Sequence, residues 1–288
     1  QLLSDGLPSG SADYTSVIDG AWATAATWCP ATVPTSGDAP VVVANAVTVS
    51  GSRACGDSPA EGNTVLTIRA LASLTVQDGA TLVVKGDIAL HGIFTVGEAS
   101  GGGAFEFDAS GATSPSSQNY KLDYLSLAAR FVVRGTTGEH SVFRSNAGGG
   151  NGYIVGSAIS SGWVDAEWCD FLRLGTSAIY AMDLGGDLIL ADCTFDACGR
   201  INYTNQIPAT LNITLDACTF RNSTDASYYN INGGTSADAV AGNRRVADCC
   251  FDYLCGIAVR AMEQARNVYL IGFVSVGSYH DGGSFANN

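Results

Sequence analysis

Residues 190–195 read Leu190-Ala-Asp-Cys-Thr-Phe195, and three further stretches in the second half of the chain repeat this Cys-x-Phe core. Each unit opens with an apolar residue, has a cysteine three positions later and ends with a phenylalanine. The other three are Ala166-Glu-Trp-Cys-Asp-Phe171, Leu215-Asp-Ala-Cys-Thr-Phe220 and Val246-Ala-Asp-Cys-Cys-Phe251. The four cysteines are 24, 25 and 31 residues apart. These intervals are typical of one solenoid coil, with a loop inserted in the last.

The spacing within each unit predicts the shape of the coil. The first apolar residue and the phenylalanine are five positions apart, an odd separation that puts them on opposite faces of a straight strand. Both can face one core only if the chain turns between them, so a corner is expected near each cysteine. The pattern predicts an all-β fold, a right-handed parallel β-helix with an N-terminal β-rich cap. A leucine-rich repeat is excluded because its regular leucine framework is missing.

The first half repeats less clearly, but short β-prone runs such as Leu74-Thr-Val76 and Ile93-Phe-Thr-Val96 are separated by glycines. Such short strands with brief turns favour small coils. The predicted organisation has an N-terminal extension, a small-coil β region and a parallel β-helix with inserted loops. These parts cover residues 1–19, 20–110 and 111–288.

Composition limits the partners and the compartment. The chain carries 14 Lys and Arg against 27 Asp and Glu, and its net charge of −13 would repel nucleic acid. No apolar run is long enough to cross a bilayer as a helix. The low charged fraction of 14%, nine cysteines and a first residue, Gln1, that is not Met indicate an exported protein. We therefore predict a secreted or cell-surface location.

Two regions resemble known families. The stretch Gly20-Ala-Trp-Ala-Thr-Ala-Ala-Thr-Trp28, with Val33-Pro-Thr-Ser-Gly-Asp38 and Val47-Thr-Val49, resembles the start of the eight-glycine extracellular domain family. The second half resembles the pectin-lyase-like right-handed parallel β-helix superfamily. Where that superfamily has an asparagine pair, this chain has Asp192-Cys193 and its equivalents, which suggests a cysteine ladder. Both families contain polysaccharide-cleaving enzymes as well as adhesins and surface-layer components, so the resemblance implies a fold and not an activity.

Cysteines on successive coils would have Cα atoms about 4.8 Å apart, within the range of a disulfide. Cys193 could pair with Cys169 or Cys218, and Cys198 with Cys255. A bond between Cys29 and Cys55 would staple the cap, and Cys249 is a further candidate. The alternative is a column of reduced, buried thiols that act as small apolar groups. Without a CxxC pair or a histidine cluster, no metal site is predicted.

Acidic residues occur at related places on adjacent coils. A polysaccharide lyase would need such carboxylates to hold calcium and a Lys or Arg as base. The alternative is an ordinary solvated face, and the three histidines, including His140, are expected to be structural. The binding candidates are Asp165, Glu167, Asp192, Asp216, Asp248 and Arg173, with Asp170 close by. Asn202, Asn212 and Asn222 begin acceptor patterns for N-glycosylation.

These observations favour a non-catalytic extracellular β-solenoid, a structural or adhesive protein that assembles into filaments or sheaths. The expected partners are other copies of the chain or other surface proteins, with polysaccharide as an alternative. A calcium-assisted lyase acting on an acidic polysaccharide and a glycan-binding module are the competing functions. No cofactor is predicted, apart from calcium if the chain is a lyase.

Overall fold

A computed structural model describes most of the chain. The described residues are 14–38, 40–56, 63–110, 119–146, 151–156, 163–176, 180–202, 212–224, 231–232, 244–251, 257–258, 264–266, 269–270 and 284–286. Within them the structure consists of strands and connections, with one short 3-10 turn at Ala25–Thr27.

The strands form three long sheets, and the chain visits the sheets in a fixed order. Sheet 1 contains β1 (Tyr14–Ser16), β3 (Trp28–Cys29), β4 (Val41–Val43), β7 (Thr64–Ile68), β10 (Asp87–Leu90), β13 (Asn119–Tyr124), β16 (Asn151–Val155), β19 (Met182–Asp183), β22 (Ile201–Asn202), β25 (Ile231–Asn232) and β28 (Ile257–Ala258). Sheet 2 contains β2 (Gly20–Ala21), β5 (Ala46–Val49), β8 (Ser73–Val76), β11 (Ile93–Val96), β14 (Arg130–Arg134), β17 (Trp163–Glu167), β20 (Leu188–Ala191), β23 (Ile213–Asp216), β26 (Arg244–Ala247), β29 (Gln264–Arg266) and β31 (Ser284–Ala286). Sheet 3 contains β6 (Ser52–Cys55), β9 (Thr81–Val84), β12 (Ala104–Phe107), β15 (Ser141–Ser145), β18 (Cys169–Leu172), β21 (Thr194–Asp196), β24 (Thr219–Arg221), β27 (Cys250–Phe251) and β30 (Tyr269–Leu270).

From β4 to β30 every coil supplies one strand to each sheet, and within each sheet the strands of adjacent coils pair in parallel. This is a right-handed parallel β-helix, and it confirms the predicted fold class. The antiparallel pair in the described part is β1 with β3, at the N-terminal end.

The interior is built from columns of equivalent side chains. A column of phenylalanines runs along sheet 3, and neighbouring rings from Phe171 to Phe195 and from Phe195 to Phe220 stack with centroids 4.5 and 4.9 Å apart. The first apolar residue of the same units is also buried, as Leu190 and Leu215 show. Both ends of the five-position spacing therefore face one core, as predicted.

The corner between sheets 2 and 3 explains how they do so. The residue before each cysteine has a positive φ, which reverses the side-chain alternation of the strand that precedes it. These residues are Trp168, Asp192, Ala217 and Asp248, with φ between 51° and 54°. The left-handed conformation costs a residue with a Cβ about 1–2 kcal/mol, but one such residue turns the chain without a loop.

Two tryptophans close the N-terminal end. Trp22 and Trp28 are buried, and their rings meet edge to face with centroids 5.0 Å apart. The indole Nε1 of Trp28 donates to the carbonyl of Trp22 (2.8 Å), and that of Trp22 donates to the carbonyl of Pro34 (3.2 Å). Both polar indole atoms are thus satisfied inside the cap.

The boundaries predicted for the three parts of the chain can be compared with the strands found there. β1 lies within the predicted extension, residues 1–19, of which residues 1–13 lie outside the described part. Around the predicted boundary at residue 110 the pairing is continuous, since β12 pairs in parallel with both β9 and β15. The three-part division itself stays a prediction.

Candidate functional site

The cysteines of the four units form one interior column. The residue after each cysteine pairs with the residue after the next, so Cys169, Cys193, Cys218 and Cys249 lie in neighbouring layers. All four are buried, with at most 1% of their surface exposed. Ser141 pairs with Cys169 and continues the column by one coil.

Three of the four thiols in the column act as hydrogen-bond donors at their own corners. The Sγ atoms of Cys193, Cys218 and Cys249 donate to the carbonyl two residues earlier, at 3.2, 3.3 and 3.1 Å. Cys198 does the same at the next corner, where it follows the positive-φ residue Ala197 and donates to the carbonyl of Asp196 (3.5 Å). Cysteine therefore suits the position because a small apolar side chain carries a donor to the turn.

Burial makes these thiols poor nucleophiles. It raises the pKa of Cys198 to about 12 and the pKa of Cys169 well above its ordinary value. Contact with the Cys193 thiol, and burial, raise the pKa of Cys218 in the same direction. A thiol that stays protonated is neither a catalytic nucleophile nor a ready metal ligand.

The predicted disulfides are not formed in the described part of the chain. Cys29 is an exposed free thiol and Cys55 a buried one, and Cys193 is free beside Cys169 and Cys218. The described part contains a column of buried free thiols, and the Sγ atoms of Cys193, Cys218 and Cys249 donate to backbone carbonyls. Cys255, the predicted partner of Cys198, lies outside the described residues.

The predicted acidic residues do not all meet. Asp192 and Asp248 occupy the same corner position with one coil between them, about 10 Å apart at the strand spacing. Glu167 and Asp216 are the last residues of β17 and β23, and both lie close enough to Asp192 to affect its pKa. Asp165 is held apart by an ion pair with Arg134 (2.6 Å).

Arg173 is separated from these acids. It has a positive φ at the far end of β18, and its Nε donates to the carbonyl of Ser145 (3.1 Å). The structure therefore brings together Glu167, Asp192 and Asp216 but not the predicted base.

His140, which the sequence predicted to be structural, and Trp168, which it did not single out, complete a surface group at the corner of sheets 2 and 3. His140 Nδ1 lies 3.0 Å from Asp170 Oδ1, and its ring lies 5.6 Å from that of Trp168. Trp168 precedes Asp192 by one coil in the corner column. We call this group the corner cluster; its members are His140, Glu167, Trp168, Asp170 and Asp192.

The electrostatics of the corner cluster centre on Asp192. Burial raises the pKa of this carboxyl, and repulsion from Asp216 and Glu167 raises it further, while His140 acts in the opposite direction. Carboxylates held close together favour a proton or a hydrogen-bond donor between them. The cluster combines an aromatic ring, an oriented imidazole and acceptor oxygens.

The corner cluster was difficult to find from the sequence because His140 follows the turn after β14, whose length hides the register. The available signal was that Ser141 and Cys169 are 28 residues apart, close to one coil. That spacing would have placed His140 beside the corner of the next coil. His140 is not isolated, and its imidazole is held by Asp170.

The three predicted glycosylation acceptors differ in exposure. Asn202 is buried and its Nδ2 donates to Asp183 Oδ1 (3.1 Å). Asn212 Nδ2 donates to Asp187 Oδ2 (2.8 Å), whereas Asn222 is exposed and its Nδ2 donates to Asp196 Oδ1 (2.8 Å). Glycosylation stays a prediction, and Asn222 is the most accessible of the three.

Three general findings complete the description. Among the described residues, no group of three or more His, Cys, Asp or Glu side chains is arranged to hold a metal ion. The same part of the chain has no helix with the length and hydrophobicity needed to cross a membrane. Comparisons with protein families, with curated proteins and with solved structures found no match.

Proposed function

We propose that the chain is a non-catalytic extracellular β-solenoid that serves as a structural or adhesive component of a cell surface. The observation that supports this proposal is that basic side chains form ion pairs between neighbouring coils. Five basic side chains in the described part form ion pairs between neighbouring coils, as Arg134 does with Asp165 and Arg245 with Asp216. The further pairs of this kind are Lys85 with Asp108, Arg144 with Glu106 and Arg221 with Asp196.

These pairs suit a rigid body better than a catalytic cleft. Each exposed pair adds at most about 1 kcal/mol, but each also fixes the register of two adjacent coils. A lyase needs a basic group that is free to take a proton, and Arg173 is bonded to the backbone away from the acids. Glu167, Asp192 and Asp216 would also repel a uronate.

The calcium-assisted lyase stays the competing function, and it predicts a measurable reaction. Pectate and alginate would be incubated with the protein, with and without calcium, and unsaturated product followed by absorbance. A pectate lyase serves as the positive control. We expect no turnover; turnover that copurifies with the chain and is lost in Arg173→Gln would overturn the proposal.

The proposed partner is a second copy of the chain. Four exposed apolar side chains lie in the connections that lead from sheet 1 to sheet 2. Leu71 and Leu127 have 106% and 65% of their surface exposed, and Val17 and Ile18 have about half of theirs exposed. Exposed apolar side chains along one edge support association through that edge. Light scattering and electron microscopy should detect assembly that is weakened in Leu71→Asp/Leu127→Asp. Thr75→Asp, which adds charge on the neighbouring strand β8, is the matched control and should assemble normally.

The family assignment is also a proposal. Membership of the pectin-lyase-like superfamily is supported by the parallel coils and by corners at the positions where that superfamily has its asparagine pair. A secreted or cell-surface location is supported by the low charged fraction of 14% and by the Ser, Thr and Asn content. Surface labelling of intact cells that express the chain would test the location.

A further inference from the structure

We propose that the corner cluster binds a neutral sugar residue of a glycan; this proposal rests on the adhesive function proposed above. The five members are side chains from three consecutive coils, brought together at one edge of the solenoid. None of the interior columns requires them, since the inward positions of these coils are filled by Phe171, Cys169 and their equivalents.

Trp168 supplies an apolar platform. It is partly exposed, in a corner column whose other described members after it are Asp192, Ala217 and Asp248. A bulky aromatic residue with φ of 54° is costly, and a smaller residue would turn the chain equally well. The C–H face of a pyranose ring is apolar and flat, so it packs against such a ring while its hydroxyls point outward.

His140 and the carboxylates supply the polar contacts. Asp170 holds Nδ1 of His140 at 3.0 Å, and this fixes the imidazole so that Nε2 points away from that contact. Glu167 is exposed and Asp192 is half-buried on the following coil. Neighbouring hydroxyls of a sugar can donate to these oxygens and to the imidazole Nε2, because Nδ1 carries the hydrogen that is donated to Asp170.

Charge selects the class of sugar. The carboxylates of Glu167, Asp192 and Asp216 act on one another at this edge, and a uronate or sulfated sugar would add a further negative charge. A neutral sugar avoids that repulsion and supplies hydrogen-bond donors to crowded acceptors. The expected ligands are therefore neutral polysaccharides such as glucans, mannans or chitin fragments.

The test is binding of neutral and acidic oligosaccharides to the full chain, on a glycan array and then by calorimetry. Trp168→Ala should lose at least tenfold in affinity for the neutral ligand. The matched control is Trp163→Ala, which removes the ring at the start of β17 that stacks with Arg130 (4.6 Å) and should bind as the parent does. Circular dichroism and thermal melting establish that each variant is folded.

A second pair of variants keeps the test valid if Trp168→Ala fails to fold. Asp192→Asn should weaken binding, whereas Asp248→Asn, at the same corner position two coils later, should not. The proposal is overturned if the parent binds no neutral glycan, if only acidic glycans or basic peptides bind, or if Trp168→Ala and Asp192→Asn bind as the parent does. None of these results affects the non-catalytic function, which fails separately if any polymer is cleaved.

Discussion

The coils from β4 to β12 and those from β17 to β27 turn the chain between sheets 2 and 3 in different ways. In the first group the corner between sheets 2 and 3 contains a positive-φ glycine, as at Gly51, Gly79 and Gly97. In the second group a single non-glycine residue turns the chain and a buried cysteine follows directly. Glycine gives the conformation at no steric cost, whereas the second group accepts that cost and gains a side chain at every corner.

The difference shows what the cysteines add. The carbonyl of Asp216 accepts from the Cys218 thiol and also from the backbone N–H of Asp192 on the preceding coil. The same double use occurs at Ala247, which accepts from Cys249 and from the N–H of Ala217. The thiol thus fixes the carbonyl that joins two coils, while the outward corner residue is left free to vary and can carry function.

The largest effect is expected where the two groups of coils meet. Phe143 on β15 contacts the rings of Phe105, Phe107, Phe131 and Phe171. Phe143→Ala should lower the free energy of unfolding by about 4–5 kcal/mol, because a large buried ring is removed from the layer that joins both halves. Urea denaturation followed by circular dichroism measures the loss and should resolve two transitions instead of one.

The matched variant for this prediction is Phe195→Ala, which lies inside the second group and contacts two rings of the column. It should cost about 3–4 kcal/mol and leave a single transition. Two transitions in both variants, or in neither, would contradict the view that Phe143 couples the two groups.

A smaller effect is expected from the thiol column. Cys218→Ala should cost about 1–2 kcal/mol, because it leaves a small void and removes one donor from the Asp216 carbonyl. Cys218→Ser should cost less, since Ser141 occupies the same column and its hydroxyl donates to the carbonyl of Arg134 (2.6 Å). Equal losses in both variants, measured by thermal melting under reducing conditions, would show that the donor is unimportant.

Exchanging the corner residues tests the comparison itself. Gly79→Ala should destabilise the first group by about 1 kcal/mol, because φ is 69° and no neighbouring atom lies near the added Cβ to complicate the effect. Ala217→Gly, at an exposed corner with φ of 52°, should stabilise the second group by up to about 1 kcal/mol. The sign of the two changes in melting temperature is the measurement, and changes of the same sign would refute the strain argument.

The sequence predicted those features of the structure that follow from strict local patterns, and not those that depend on contacts between coils. The five-position spacing from Leu190 to Phe195 predicted a corner because side-chain alternation is a strict local rule. The state of Cys193 could not be predicted, since one strand spacing permits a disulfide and a row of thiols alike. The contact between His140 and Asp170 depends on a turn whose length the sequence leaves undefined, so register, and with it the corner cluster, needed the structure.

The smallest predicted effect concerns the carboxyl of Asp192, and it depends on pH. Folding raises its pKa, so the folded state binds a proton more readily than the unfolded chain, and stability falls as the pH rises through the raised value.

Asp192→Asn removes burial of a charge and its repulsion from Asp216 and Glu167, and should raise the melting temperature slightly at pH 7. That gain should shrink as the pH falls through the raised value and vanish below about 4, where the carboxyl becomes protonated in both states. Asp248→Asn shares the corner conformation, with φ of 53°, and reports any effect of asparagine in that conformation alone. A gain of the same size at both positions, or one that does not change with pH, would mean that backbone preference and not carboxylate crowding governs this corner; a gain confined to Asp192 would identify it as a position where stability is lower than the fold permits.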